Sequence, residues 1–292
     1  MKTAKPLLTG DWVWDDAEIA MLSVFGDESH DPTKARVFVV AGLLGDHNQW
    51  RSFREQWNTR LSGLVFHAAD CESGYGEFRE MPENDRHRLH RDLTGMVARS
   101  GLIGYGHAID LAGCRTAAPT VLKEFPDMPY YDCFLRTVVK LSDFAAHFVP
   151  RDRVEFTFDQ HRETQYNAGV LYEWMTAYKP DIAEKVSFAS RKEVGIQAAD
   201  LWARELMKRC DTHLFNDRAR PRPQWNTLAS TKRFQFHLNL GRELAQTLDT
   251  TPMLPGFNHS EYERWRAANK LTDNLSNRFR YASRVDRADK SP

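Results

Sequence analysis

The order in which two periodicities follow one another constrains the fold most. Residues 21–27 form an apolar run, residues 29–34 a polar stretch containing Asp31-Pro32, and residues 36–44 a second apolar run. Two runs of strand length either side of a turn read as a β-hairpin. Apolar residues then recur at helical intervals over 49–61, a short apolar run covers 64–68, and 83–100 is charged and amphipathic, as a surface helix is. Residues 102–109 read as a strand, 130–148 as a helix, 153–159 as a strand, 165–178 as a helix, 185–189 as a last β segment and 195–210 as a closing helix. A hairpin followed by alternating strands and helices predicts an α/β fold, a mixed sheet with helices on both faces.

This reading makes residues 1–20 an N-terminal arm and 21–210 the core. Residues 211–292 become a C-terminal extension: 211–255 mix Arg, Pro and aromatics without clear periodicity, and a charged helix candidate begins near Asn258. With 41% apolar residues the chain can bury a core of that size, and no internal repeat interrupts it. Forty basic residues offset forty acidic ones, so any affinity for nucleic acid must come from a local patch. Without an apolar run of membrane-spanning length or a signal-peptide pattern, the expectation is a cytoplasmic protein with no membrane partner. Cys71, Cys114, Cys133 and Cys210 are too scattered for a paired-ligand zinc site and read as reduced thiols.

Strand alternation places Ser23, Phe25 and Asp27 on one face, with Val24, Gly26 and Glu28 on the other, so Asp27 and Glu28 cannot both serve one site. In 154–159, Val154, Phe156 and Phe158 alternate with Glu155, Thr157 and Asp159, and the polar face ends in an acid. On the closing helix Ile196, Ala199, Ala203 and Met207 follow an apolar stripe, while Gln197, Asp200 and Arg204 fall at i, i+3 and i+7 on a neighbouring one. Each acid has an ordinary structural alternative: turn chemistry for Asp27, the start of a loop for Asp159, and an Asp200–Arg204 pair worth roughly 0.3–0.5 kcal/mol. Two His-x-x-Asp pairs, His67/Asp70 and His107/Asp110, have an odd spacing that would put their members on opposite faces of an extended strand. Asp70 reaches a common site only if the chain turns near Cys71-Glu72-Ser73-Gly74.

Asp27-Glu28-Ser29, Phe66-His67-Ala68-Ala69-Asp70, Phe158-Asp159 and Gly195-Ile196-Gln197-Ala198-Ala199-Asp200-Leu201 together resemble the domain of unknown function 3800 family, a bacterial and phage group similar to RNase H-like nucleases. The resemblance covers residues 21–210, and the Gln-x-x-Asp-Leu helix is its most specific part. It implies an RNase H-like mixed sheet whose first strand, fourth strand and later helix carry the acids Asp27, Asp159 and Asp200. Those acids would be the metal ligands of a nuclease connected with phage or mobile-element conflict, acting on DNA or RNA, with an activating protein encoded nearby among its expected partners.

Converging carboxylates repel unless protonated or bridged by cations, and oxygen ligands suit Mg²⁺ or Mn²⁺. Two such ions about 3.5–4 Å apart can activate water and stabilise a leaving oxygen. His67 and Asp70 are further catalytic candidates, able to orient water or substrate. Gln197, Arg191, Lys192 and Arg204 are substrate-binding candidates near Asp200. Between Arg204 and Arg233 basic residues interleave with Trp225 and Phe215, a composition suited to single-stranded nucleic acid or to an ordinary packed loop. Two further readings stay open: a non-catalytic RNase H-like module that binds a protein or nucleic acid, and a metal-dependent phosphohydrolase of small molecules.

Overall fold

The computed structural model describes residues 22–117, 119, 128–148, 154–160, 172 and 185–241. The N-terminal arm, most of the helix expected at 165–178 and the helix expected beyond Asn258 lie outside the described residues.

Among the described residues six strands form one mixed sheet in the order β5-β4-β1-β2-β3-β6. The hairpin is β1 (Leu22–His30) and β2 (Val37–Asp46), antiparallel with Gly26 opposite Gly42, and β2 pairs antiparallel with β3 (Ile103–Asp110). On the other side β4 (Val154–Asp159) runs parallel to β1, and β5 (Lys185–Ala189) runs parallel to β4. This is the expected mixed α/β sheet. One further strand comes from the segment without periodicity: β6 (Phe234–Asn239) pairs parallel with β3 and extends the same sheet.

The turn of the hairpin is organised by Asp31, whose side chain is 1% exposed. Its carboxylate accepts the backbone N–H groups of Ala35 (3.0 Å), Arg36 (2.7 Å) and Val37 (3.1 Å) and the Thr33 hydroxyl (2.6 Å). Asp46 ends β2 and starts α1 (His47–Leu61) with a capping box: it accepts from the Gln49 N–H while the Gln49 side chain accepts from its own.

One face of the sheet carries α1, α2 (Ala68–Ser73), α3 (Glu83–Arg99), α6 (Val194–Phe215) and α7 (Pro223–Ala229). Its core includes Phe25, Trp50, Trp57, Phe66, Leu93 and Trp202. The other face carries α5 (Met128–Phe148), reached from β3 through the short α4 (Leu111–Ala117), and packs Phe134, Val138 and Leu141 onto Val24, Val40 and Phe156. The cysteines are buried on both faces, and burial pushes the thiols of Cys71, Cys114 and Cys210 up to about 12. Among the described residues no helix is long and apolar enough to cross a membrane.

Placing α6 directly over β1 requires that nothing project from Gly195 toward the sheet. A Cβ at Gly195 would collide with the Phe25 ring, and Ala198 and Ala199 have no exposed surface. Small residues therefore bring the helix, and Asp200 with it, down onto the carboxyl end of β1.

Candidate functional site

β1 and β4 are parallel, and their last paired residues are Gly26 and Phe158. Asp27 and Asp159 are the next residue on each strand. Both follow the alternation that puts Phe25 toward α6 and Phe158 toward α5, so they face α6. Asp200 comes down from that helix onto the same opening, 7% exposed.

The charges of the acids act on one another. The Asp27 carboxyl is pushed well above its usual range by loss of water, then by the charges of Asp200, Asp159 and Glu28, against a 2.7 Å hydrogen bond from the Glu28 N–H. Burial also pushes Asp200 upward, opposed by His67, the Ala68 N–H, Arg204 and His90. A second cluster lies among the described residues: Glu72, His90 and Glu205 offer three ligand atoms within 4.8 Å of one another.

The Gln-x-x-Asp motif has a structural task that its spacing did not reveal. Gln197 Oε1 accepts from Trp57 Nε1 and from the Phe66 N–H, each at 3.0 Å, while its Nε2 donates to the Lys192 carbonyl at 3.3 Å. Asp200 Oδ2 accepts the Ala68 N–H at 2.7 Å. Successive turns of α6 thus hold alternate N–H groups of residues 66–68. Gln197, expected to contact substrate, is 4% exposed and has its amide engaged at both ends, so it acts on the site by fixing this segment.

The segment it fixes carries His67. The chain does not stay extended there: His67 is the residue before α2, and its Nδ1 lies 2.9 Å from Asp70 Oδ2. The opposite-face argument drawn from an extended strand therefore fails for this pair, because a helical turn brings i and i+3 together. His107 and Asp110 stay apart. His107 is 1% exposed on the α5 face, stacked on His237 at 5.1 Å, and burial, Arg136 and His237 push its pKa well below the usual value. Asp110 instead accepts the Gly113 N–H at 2.8 Å.

Arg191 and Lys192 are exposed at the entrance to α6. Arg204 is engaged, donating to Glu72 Oε2 from two nitrogens at 3.1 and 2.8 Å. The aromatics of the basic segment are largely packing: Trp225 stacks on fully buried Trp202 at 5.8 Å, and Phe234 meets Trp202 edge-on at 5.1 Å. Arg222 pairs with Glu72 at 2.6 Å and with Glu205 at 3.2 Å, whereas Arg218, Arg220 and Lys232 are exposed.

Glu72, His90 and Glu205 form a donor set compatible with one divalent cation, which the sequence analysis did not single out. A signal existed. Glu205 continues the buried stripe of Ala198, Leu201 and Trp202, and His90 sits beside Leu89 and Leu93 on the buried side of α3; a charged or polar residue on such a stripe needs a partner.

No family model matches the chain, and no curated protein does. Among solved structures, a weak likeness is found to a chain in the structure of the PCNA:RNase HII complex from Archaeoglobus fulgidus, with 13% identity and a TM-score of 0.39 over 74% of this chain and 92% of that one.

Proposed function

We propose that the protein is a divalent-metal-dependent nuclease whose ligands are Asp27, Asp159 and Asp200. One observation carries the reading: the Asp27 carboxyl is destabilised as an anion by burial first and then by the charges of Asp200 and Asp159, a cost that bound cations would offset. The donor set is all oxygen and suits Mg²⁺ or Mn²⁺, in one- or two-ion form. Such ions supply a metal-activated water and charge neutralisation for phosphodiester hydrolysis.

The chain's own residues would do the rest. Asp70 Oδ2 lies 2.9 Å from His67 Nδ1, and Gln197 and Asp200 fix the backbone on either side of it, so His67 can orient a water or a phosphate without being a ligand. Exposed Arg191 and Lys192, with Arg218, Arg220 and Lys232 farther along the chain, would contact the backbone of DNA or RNA. The resemblance of the sequence to the domain of unknown function 3800 family supports the same reading, and with it a cytoplasmic setting in phage or mobile-element conflict and an activating protein encoded nearby. A non-catalytic binding module is the second reading, favoured by the engagement of Gln197, Arg204 and Arg222 in internal contacts.

Purified protein should cleave single-stranded or structured nucleic acid in Mg²⁺ or Mn²⁺ and not in EDTA. Asp27→Asn, Asp159→Asn and Asp200→Asn should each cost at least about a hundredfold in rate. Cleavage that survives Asp159→Asn, or is absent with both metals on DNA and RNA even with neighbouring gene products added, would leave the binding module.

A further inference from the structure

The trio Glu72, His90 and Glu205 lies where α2, α3 and α6 meet, on different residues from the proposed ligands. We infer that it is a site for one divalent transition-metal ion, closed in this structure by Arg222, whose guanidinium stands where the ion would bind. The inference is independent of the nuclease reading.

Glu205 has no exposed surface, and His90 is 2% exposed. His90 Nε2 is 3.3 Å from Glu205 Oε1, and Arg222 Nη2 is 3.2 Å from the same oxygen, yet neither Glu205 oxygen nor His90 Nε2 has a well-formed hydrogen bond. Leaving a buried carboxylate without directed donors is costly, so a chain that keeps one here has a reason besides packing. The Arg222 pairing is a charge match with poor geometry, and a cation bound through oxygen and nitrogen lone pairs needs no N–H direction.

Arg222 Nη2 lies 2.6 Å from Glu72 Oε1 and 3.2 Å from Glu205 Oε1, between the two carboxylates. Arg204 grips the other Glu72 oxygen, Oε2, and would keep that side chain oriented as an outer partner of a ligand does. Arg222 is the extended residue that begins α7, and its side chain is 30% exposed, so it can leave toward solvent. The three ligand atoms lie within 4.8 Å of one another, and His90 Nε2 and Glu205 Oε1, 3.3 Å apart, already have about the 3.4 Å spacing of ligands around a tetrahedral ion with bonds near 2.1 Å. An imidazole nitrogen with two carboxylates selects Zn²⁺, Mn²⁺ or Fe²⁺ over Mg²⁺.

The test uses the full chain carrying Asp27→Asn and Asp159→Asn, which disables the other acidic centre, and measures Zn²⁺ binding by calorimetry and by metal content after dialysis. One equivalent should bind, Mg²⁺ should not compete, and Co²⁺ should give the visible absorption of a nitrogen- and oxygen-ligated ion. His90→Ala should abolish the equivalent, whereas Arg222→Ala, by removing the competitor, should tighten it about tenfold or more. Circular dichroism checks folding; if His90→Ala does not fold, Arg222→Ala decides alone. Binding that survives His90→Ala in folded protein, or an affinity that Arg222→Ala leaves unchanged or weakens, overturns the inference. Loss of nuclease activity in the Asp27→Asn/Asp159→Asn background with Zn²⁺ binding intact would separate this site from the proposed active site.

Discussion

Replacing Gln197 by Leu tests whether the helix motif works by holding residues 66–68. Leu fills similar volume, so little cavity is created. What remains are two buried donors without an acceptor: the indole N–H of Trp57, which has no exposed surface, and the backbone N–H of Phe66. Each orphaned donor costs about 1–3 kcal/mol, so the substitution should destabilise the fold by about 2–6 kcal/mol, on the order of 10 °C in Tm for a chain of this size. Urea denaturation followed by tryptophan fluorescence measures it. Adding Trp57→Phe removes one orphan together with its hydrogen, so the double variant should recover about 1–2 kcal/mol relative to additivity. Amide exchange at Phe66 and Ala68 should quicken in Gln197→Leu. A loss below about 1 kcal/mol, or strict additivity in the double variant, would refute the holding role.

Asp27→Asn should stabilise the metal-free protein at neutral pH. The folded-state pKa of Asp27 is raised, so folding is penalised above that pKa and the penalty fades as pH falls toward the unfolded value near 4; the advantage of Asn should shrink over the same range. Mn²⁺ should raise wild-type stability by about 2.7 kcal/mol at a hundredfold excess over Kd and the variant by less, and equal shifts in thermal melts would count against the site. Asp31 behaves oppositely: burial opposes its charge, but Thr33 and the N–H groups of Arg36, Val37 and Ala35 more than compensate and depress its pKa. Its stabilisation is complete above the unfolded pKa near 4 and lost as pH falls further, so Asp31→Ala should cost about 2 kcal/mol or more at pH 7 and flatten the acid limb of the stability curve, read by denaturant midpoints from pH 2 to 7.

What acts over a few residues was legible in the amino-acid order. Period-two alternation fixed that Asp27 shares a face with Phe25 and Asp159 with Thr157, and helical spacing put Gln197 and Asp200 on one side of α6, because side-chain direction follows from backbone geometry alone. The small residues around Asp200 announced a close approach of that helix to the sheet. Only the tertiary structure decided which strands are neighbours: β1 finds β4 across more than a hundred residues, and Phe234–Asn239 becomes a strand because β3 offers it an edge, since its own sequence carries no clear signal. The same holds for partners. Gln197 meets Trp57 and Phe66, Arg204 meets Glu72, and Arg222 meets Glu205 through contacts that no local spacing encodes. Which charges are free to bind a ligand and which are used inside the protein is a property of packing, because a buried carboxylate takes whatever cation the fold brings to it.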